Sequence, residues 1–338
     1  MNERALGNTG SKVSEVGFGC WAIGGNSYGD VRDEDSLKAL EIAWDSGVNF
    51  YDTADTYGEG HSEVLVGKFL KGKPRGKIFV ATKCGWDFYP GNRTLWPCVA
   101  DFPGKINHAG HRKNFDPTYV RFACTQSLRR LGTEIIDLFQ LHNPSLDQIR
   151  KGETAGVLES LKKEGKIRFI GVSVHTEAEA LAALEDSRFE VLQVIFNLLD
   201  QRMKEKVFPE AQQKRVGILA REPLASGLLT GKYAPSHKFP KNDHRRRWVE
   251  AKRGEDWEKI GRLQTILKDR NISLQQAALE YILSFKAVTT VIPGAKTGAQ
   301  VVENLKASTA PRLTTETIAE LRELYDREPI FKLGLVPR

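Results

Sequence analysis

FDPTYVRFACTQSLRRLGTEIIDLFQLH, Phe115 to His142, contains one full unit of a repeating pattern. Asp116 is placed to cap a helix, Pro117 takes its first position, and Val120, Cys124, Leu128 and Leu131 recur on one helical face. Gly132 closes the helix, and IIDLFQL, a short apolar run ending against His142, then reads as a strand. Strands that alternate with helices form parallel sheets, because the return path must cross over the sheet.

The alternation extends in both directions. LKALEIAWDSG puts Leu37, Leu40 and Trp44 on one face and stops at Gly47, before a strand over Val48 to Asp52. Val16 to Trp21, IFVATKCG, IRFIGVSV, VLQVIFN, VGILA and VTTVIP supply the other strands, with helices through Val157, Leu158 and Leu161 and through Leu181 and Leu184 between them. Eight such units predict an α/β fold closed into a (β/α)8 TIM barrel, with an open doubly wound sheet as the competing arrangement. The opening ALGNTGSKVSEVG reads as an N-terminal β-hairpin. Gly85 to Phe115 and Ser226 to Trp257 exceed the repeat and are expected as long loops at the C-terminal face, lids in one reading and disordered segments in the other. At 338 residues the chain has the length of one barrel, so a single domain over residues 1–338 is expected.

Composition narrows the function. Lacking an apolar run of about 18 residues, the chain offers no membrane span, and MNERALGNTGSKVSEVG lacks an apolar signal core, so a cytoplasmic protein is expected. Cys20, Cys84, Cys98 and Cys124 are widely spaced, which argues against a zinc site or a disulfide framework. Cys20 and Cys84 flank candidate site residues, where a redox-sensitive thiol competes with plain packing. The net charge of +7 suits an anionic ligand, but its densest cluster, Lys241 to Lys259, interleaves acids with bases and reads as a solvated loop. Nucleic-acid motifs are absent, and nothing indicates an oligomer. His108 and His111 have metal-like spacing but no acidic or Cys partner nearby, so no metal is expected.

Two glycine motifs mislead. GFGCWA, Gly17 to Ala22, has the letters of the dinucleotide fingerprint, but helix breakers follow where that turn needs a helix. GLLTGK, Gly227 to Lys232, is one residue short of a P-loop, and Tyr233 replaces its Ser or Thr.

Barrels of this type build their sites at the carboxyl ends of the strands. There the sequence places Asp52 and, just beyond it, Tyr57, then Lys83 and His142. Reducing a carbonyl by hydride transfer leaves charge on oxygen, so a proton donor must stand beside it. An ammonium about 4 Å from a phenol, at an effective dielectric of about 20, favours phenolate by roughly 4 kcal/mol, or about three pK units before desolvation opposes it. Tyr57 is therefore expected as general acid, brought toward neutral pH by Lys83, with Asp52 keeping the lysine charged and His142 donating to the substrate oxygen. A glycosidase is the rival chemistry, but it needs paired carboxylates, and Asp52 is the one obvious acid at these strand ends.

GFGCW, DTADTYG, TKCG, DLFQLH, GVSV, LASGLLTGKY and IPGAKTGAQVVENL occur in the order found in the aldo-keto reductase family, which the chain resembles over most of its length. The branch resembled most holds the potassium-channel β-subunits and the inositol-region reductases. The resemblance implies the same four catalytic roles and a hydride from NADP(H), preferred over NAD(H), acting on a small-molecule carbonyl substrate. It also leaves open an NADPH-binding, redox-sensing regulatory subunit with negligible turnover.

IPGAKTGAQVVENL supplies Gly294, a helix start at Thr297 and Lys296 beside it, an anion site of helix terminus plus cation, although Thr297 and Gln300 also match a capping box. By resemblance Lys296 meets the 2′-phosphate, and Gln300, Glu303 and Asn304 the adenosine. Ser173 and Gln193 match positions that hold the nicotinamide amide, and Cys20 and Trp21 line that region. Ser226, Gly227 and Lys232 match a loop over the pyrophosphate, with Pro223 and Leu224 just before it. Arg221 stands where the family often stacks an aromatic ring on nicotinamide, and Val174 replaces the common asparagine; the planar guanidinium is expected to stack in its place. Beyond Lys83, Trp86, Phe88, Tyr89 and Trp96, with Arg93, are expected as a substrate loop suited to a sugar or sugar-derived carbonyl, with packing inside a lid as the alternative.

Overall fold

The computed structural model describes residues 1–25, 27–89, 112–247, 250–309 and 312–333. Eight parallel strands follow chain order around one sheet: β1 (Phe18–Gly19), β2 (Phe50–Asp52), β3 (Phe79–Cys84), β4 (Ile136–His142), β5 (Ile167–Val174), β6 (Val191–Ile195), β7 (Gly217–Arg221) and β8 (Val288–Val291). The sheet closes on itself. Val16 pairs in parallel with Val291 and Gly19 with Gly294, and the Gly17 and Gly19 amides donate to Val291 and Pro293 carbonyls at 2.8 and 3.0 Å. At Gly19 a Cβ would lie 2.7 Å from the Ile292 carbonyl, so a side chain there would hold the seam apart. The result is the (β/α)8 barrel, and the open sheet is excluded.

Crossover helices cover the outside. The helix Pro117–Leu131 begins as its sequence prescribes, with the Asp116 side chain accepting from the Thr118 amide and Gly132 left-handed at the end. The hairpin pairs Glu3–Ala5 with Lys12–Ser14. No helix among the described residues is long and apolar enough to cross a membrane.

The inner face of the barrel positions the site. Side chains alternate along a strand, so every second residue points inward. Phe50, Phe79, Leu138, Phe169, Val191, Leu219 and Ile292 form a cluster separate from the helix-facing core, joined by Leu6 and Val13 of the hairpin, which plugs that end. Phe79 stacks between Phe50 and Phe169, at centroid distances of 5.4 and 6.0 Å. Counting on by two along each strand from these apolar positions reaches Asp52, Lys83, Gln140 and His142, Ser173, Gln193 and Arg221. Apolar packing fills one end, and polar groups converge at the other.

Candidate active site

Lys83 is fully buried, and its Nζ donates to Asp52 Oδ2 at 2.7 Å, to the Thr53 carbonyl at 2.8 Å and to the Tyr57 hydroxyl at 3.2 Å. Burial alone would strip its proton, but the Asp52 carboxylate and the Tyr57 phenol reverse that and hold the ammonium above its usual range. Asp52 is itself fixed from two sides, because Gln140 and Gln193 amides donate to its Oδ1 at 3.3 and 2.8 Å. Gln140 went unnoticed in the sequence, although the inner-face alternation through Leu138 points straight to it.

Tyr57 is placed by a tight turn that requires glycine at its next residue. Gly58 has φ +62°, and a Cβ there would run into the Gly24 carbonyl oxygen. The phenol does not titrate near neutrality, contrary to the expectation from charge alone. Burial pushes it up by more than Lys83 and Arg221 pull it down, and Asp52 adds to the rise, so it stays above its ordinary value of 10. His142 stands edge-on to the Tyr57 ring, with centroids 6.0 Å apart. Burial, followed by the cations Lys83 and Arg221, drives its pKa far down, so the ring is neutral.

A cleft of about 910 Å³ joins this cluster to the predicted cofactor segment. Asp52, Tyr57 and His142 line one end, and Gly294, Lys296, Gln300 and Asn304 the other, with Cys20, Trp21 and Gln193 between them. Arg221, Pro223, Leu224, Ser226, Gly227 and Lys232 form its rim. Ser173 lies buried, its hydroxyl without a partner among the described residues, as is Gln193 Oε1. A hydroxyl and an amide carbonyl left in this state match the acceptor and donor of a nicotinamide carboxamide. With Lys296 at a helix start along the same cleft, the residues present fit a nicotinamide dinucleotide.

A strap crosses the cleft between the loops that follow β1 and β7. Tyr28 bridges Asp243, the His244 amide donates to the Ser27 carbonyl at 2.9 Å, and Lys296 Nζ donates to the Tyr28 carbonyl at 2.8 Å. Arg245 forks onto Asp243 at 2.8 and 2.6 Å and reaches the Ser226 carbonyl and the Tyr233 hydroxyl. The Lys241 to Lys259 cluster is therefore not wholly a solvated loop: Asp243 and Arg245 are 3% and 6% exposed, and His244 and Arg245 line the cleft. Charge alternation hid them, since Ser27 and Tyr28, which close over them, come from a loop distant in sequence.

Other expectations shift. Phe88 and Tyr89 are not substrate platforms: they stack on each other at 4.4 Å, and the Tyr89 hydroxyl accepts from Arg130, itself paired with Glu63. A buried guanidinium needs acceptors on several sides, and Tyr89 serves as one. Trp86 does line the cleft, while Arg93, Trp96, Cys98, His108 and His111 lie outside the described residues. The Thr297 hydroxyl accepts from the Gln300 amide and Glu303 pairs with Lys306 at 2.6 Å, and neither is among the residues that line the cleft with Gln300 and Asn304. The Arg221 guanidinium is tied at its edge to Glu222, Val174 and His175. Cys20 and Cys84 are buried with thiol pKa values pushed well up, chiefly by that burial, which suits packing and opposes a reactive thiolate.

The sequence profile of the Aldo/keto reductase family matches residues 15–326. An aldo-keto reductase of Bacillus halodurans, solved in its holo form, shares 31% identity, 96% of each chain and a TM-score of 0.78. The NADH-specific methylglyoxal reductase of Escherichia coli is 29% identical over 91% of this chain and 93% of its own. An NADP(+) aldo-keto reductase of Schizosaccharomyces pombe is 30% identical over 97% and 92%. The chain belongs to the aldo/keto reductase family, whose oxidoreductases act on small carbonyl compounds with nicotinamide cofactors.

Proposed function

We propose that this protein reduces an aldehyde or ketone to the alcohol, preferring NADPH to NADH, with Tyr57 as the proton donor. The observation that carries the reading is the Lys83 ammonium between Asp52 and the Tyr57 hydroxyl, in the floor of a cleft that runs on to Lys296.

The cofactor supplies the hydride; the chain holds the carbonyl and delivers the proton. Tyr57 keeps its proton at neutral pH, so it is ready to donate, and charge appears on its oxygen only as the proton leaves. Lys83 then stabilises the developing phenolate at 3.2 Å, an interaction that is stronger in the transition state than before it. Neutral His142 donates to the carbonyl oxygen and opposes charge build-up there. Asp52 holds the ammonium in place and charged.

Preference for NADPH rests on Lys296, a cation beside a helix start at the far end of the cleft. Relatives of both preferences are known, one named NADH-specific and one NADP(+), so this half of the reading stands on Lys296 alone. Trp86 offers one aromatic platform for a sugar-derived substrate. The test is nicotinamide absorbance with NADPH and with NADH against aldehydes, ketones and oxidised sugars, in wild type and Tyr57→Phe. A loss of about 10² to 10⁴-fold in Tyr57→Phe is expected; turnover near wild type would remove the proposed acid.

A further inference from the structure

One group at the carbonyl end of the cleft has no part in the chemistry above. His175 lies two residues beyond Ser173, on the same inner face. The registers His142 opposite Ser173, Val174 opposite Val194 and Ile195 opposite Arg221 set it one tier above His142 and level with Arg221. Its side chain lines the cleft with Tyr57 and His142.

The ring is held in one protonation state. Arg221 approaches Nδ1 at 3.1 Å, and a guanidinium can only donate, so Nδ1 accepts and the ring proton sits on Nε2. Burial, then Arg221, Lys113 and Arg202, bring its pKa down to about 3, so this tautomer is neutral at working pH. Glu179, at the start of the next helix, accepts from the His175 backbone amide at 3.0 Å. Arg221 is fixed in turn by Glu222 Oε1 at 2.8 Å and by the Val174 carbonyl at 3.2 Å. The Nε2–H is left as a single oriented donor, without a protein acceptor among the described residues.

We infer that His175 is a second substrate-binding donor, its Nε2–H directed at an oxygen on the carbon next to the carbonyl, so that the site selects α-hydroxy and α-oxo carbonyl compounds. The inference rests on the proposed reading, in which Tyr57 and His142 hold the carbonyl oxygen. A second neutral histidine just past the end of the adjacent strand, one tier up, then meets the neighbouring substituent. Arg221 is a positioning residue in this arrangement: it sets the tautomer of His175 and need not touch the substrate. A donor held at the cleft wall adds a hydrogen bond that 2-hydroxypropanal can accept and propanal cannot, so the oxygenated aldehyde is favoured while propanal is left without that contact.

The experiment compares kcat/KM for 2-hydroxypropanal, methylglyoxal and propanal in wild type, His175→Leu and His175→Gln, together with ring-nitrogen NMR of His175 in wild type and Arg221→Leu. Wild type is expected to favour the two oxygenated aldehydes. His175→Leu should lower that preference about tenfold, the value of one neutral hydrogen bond, with propanal changed less than twofold. His175→Gln, which keeps a donor, should restore part of it. The NMR spectrum should show Nε2 protonated in wild type and a tautomer mixture in Arg221→Leu. Equal losses on all three aldehydes in His175→Leu, an unchanged preference, or a proton on Nδ1 in wild type would overturn the inference while leaving carbonyl reduction standing. A wild type that reduces none of the three would overturn the carbonyl reading, and this inference with it.

Discussion

Replacing Lys83 by Met removes the ammonium and keeps the bulk, and its cost follows from one distance. A unit charge pair at 3.2 Å in an effective dielectric of about 20 is worth about 5 kcal/mol. If about half of the phenolate charge has developed at the transition state, about 2.5 kcal/mol of stabilisation is lost, or about 10²-fold in rate. Gln140 and Gln193 still donate to Asp52 Oδ1 in the variant, but a buried carboxylate losing its ammonium costs about 3 to 5 kcal/mol of stability, so folding must be followed alongside activity. The assay is single-turnover hydride transfer with saturating NADPH, with folding followed by circular dichroism, in Lys83→Met, Tyr57→Phe and the double variant. Because the lysine is argued to act through the phenol, Lys83→Met should cost almost nothing once Tyr57 is Phe, giving a coupling of about 2.5 kcal/mol. Losses that simply add in the double variant would refute the reasoning, since the ammonium would then be serving something other than the phenol.

The raised Tyr57 pKa predicts that the rate of carbonyl reduction is flat between pH 5 and 8, while alcohol oxidation, which needs the phenolate, rises with pH; a reduction rate that falls across neutral pH would contradict it. Lys296→Met should weaken NADPH binding about 10- to 100-fold and NADH less than twofold, as read by fluorescence titration, because a lone charge-assisted contact is worth about 1.5 to 3 kcal/mol; equal effects would remove the phosphate contact. Gly58→Ala should cost about 1 to 3 kcal/mol of stability and lower activity with it, since both φ and the Gly24 carbonyl oppose a Cβ; denaturant melts that match wild type would show that the turn yields freely. Asp55 is fully buried with no side-chain partner among the described residues, and burial, with Glu63, raises its carboxyl well above the usual range. Such a group contributes stability below its unfolded value of about 3.9 and loses it as pH rises through the raised one, so Asp55→Asn should stabilise more at pH 8 than at pH 5. A thermal shift independent of pH would place the proton elsewhere.

Much of this architecture was readable because barrel strands leave strong signals. IRFIGVSV is a strand over all eight of its residues, and Asp116, Pro117 and Gly132 do locally what their chemistry requires. Asp52, Lys83 and His142 come together because they obey the same period-two alternation as the apolar residues beneath them, and the turn at Gly58 brings Tyr57 to them. Gln140 obeyed it too, but a glutamine within a strand carries no chemical flag. His175, one step past the end of β5, sat beside a motif whose letters drew attention to Ser173. Arg245 has a local partner in Asp243, but charge pairs two residues apart are common on surfaces, and what encloses this one, Ser27 and Tyr28, is distant in sequence. Phe88 and Tyr89 misled for the converse reason: aromatic residues in a long loop look like platforms until the fold supplies an Arg130 for one of them to satisfy.

The Tyr57 correction shows what the sequence argument lacked. Pairing a phenol with an ammonium gives the sign of their interaction from residue types alone, but desolvation depends on what closes over them, and Trp21 stacks on the Tyr57 ring at 6.1 Å from a different loop. Burial acts on the resting phenol and the developing phenolate in opposite senses to Lys83, and at rest it wins. That outcome favours reduction: an acid that stayed half-ionised at pH 7 would have surrendered half its catalytic form before the carbonyl arrived. The same enclosure strengthens the Lys83 interaction when charge does appear, because the low local dielectric that penalises phenolate also amplifies its attraction to the ammonium. Asp52, held by two amides and the lysine, makes that enclosure tolerable, since a cation buried this completely would otherwise lose its proton to the surroundings. The inner tier of glutamines is thus part of the acid's design, linked through Asp52 and Lys83 to the phenol that carries the proton.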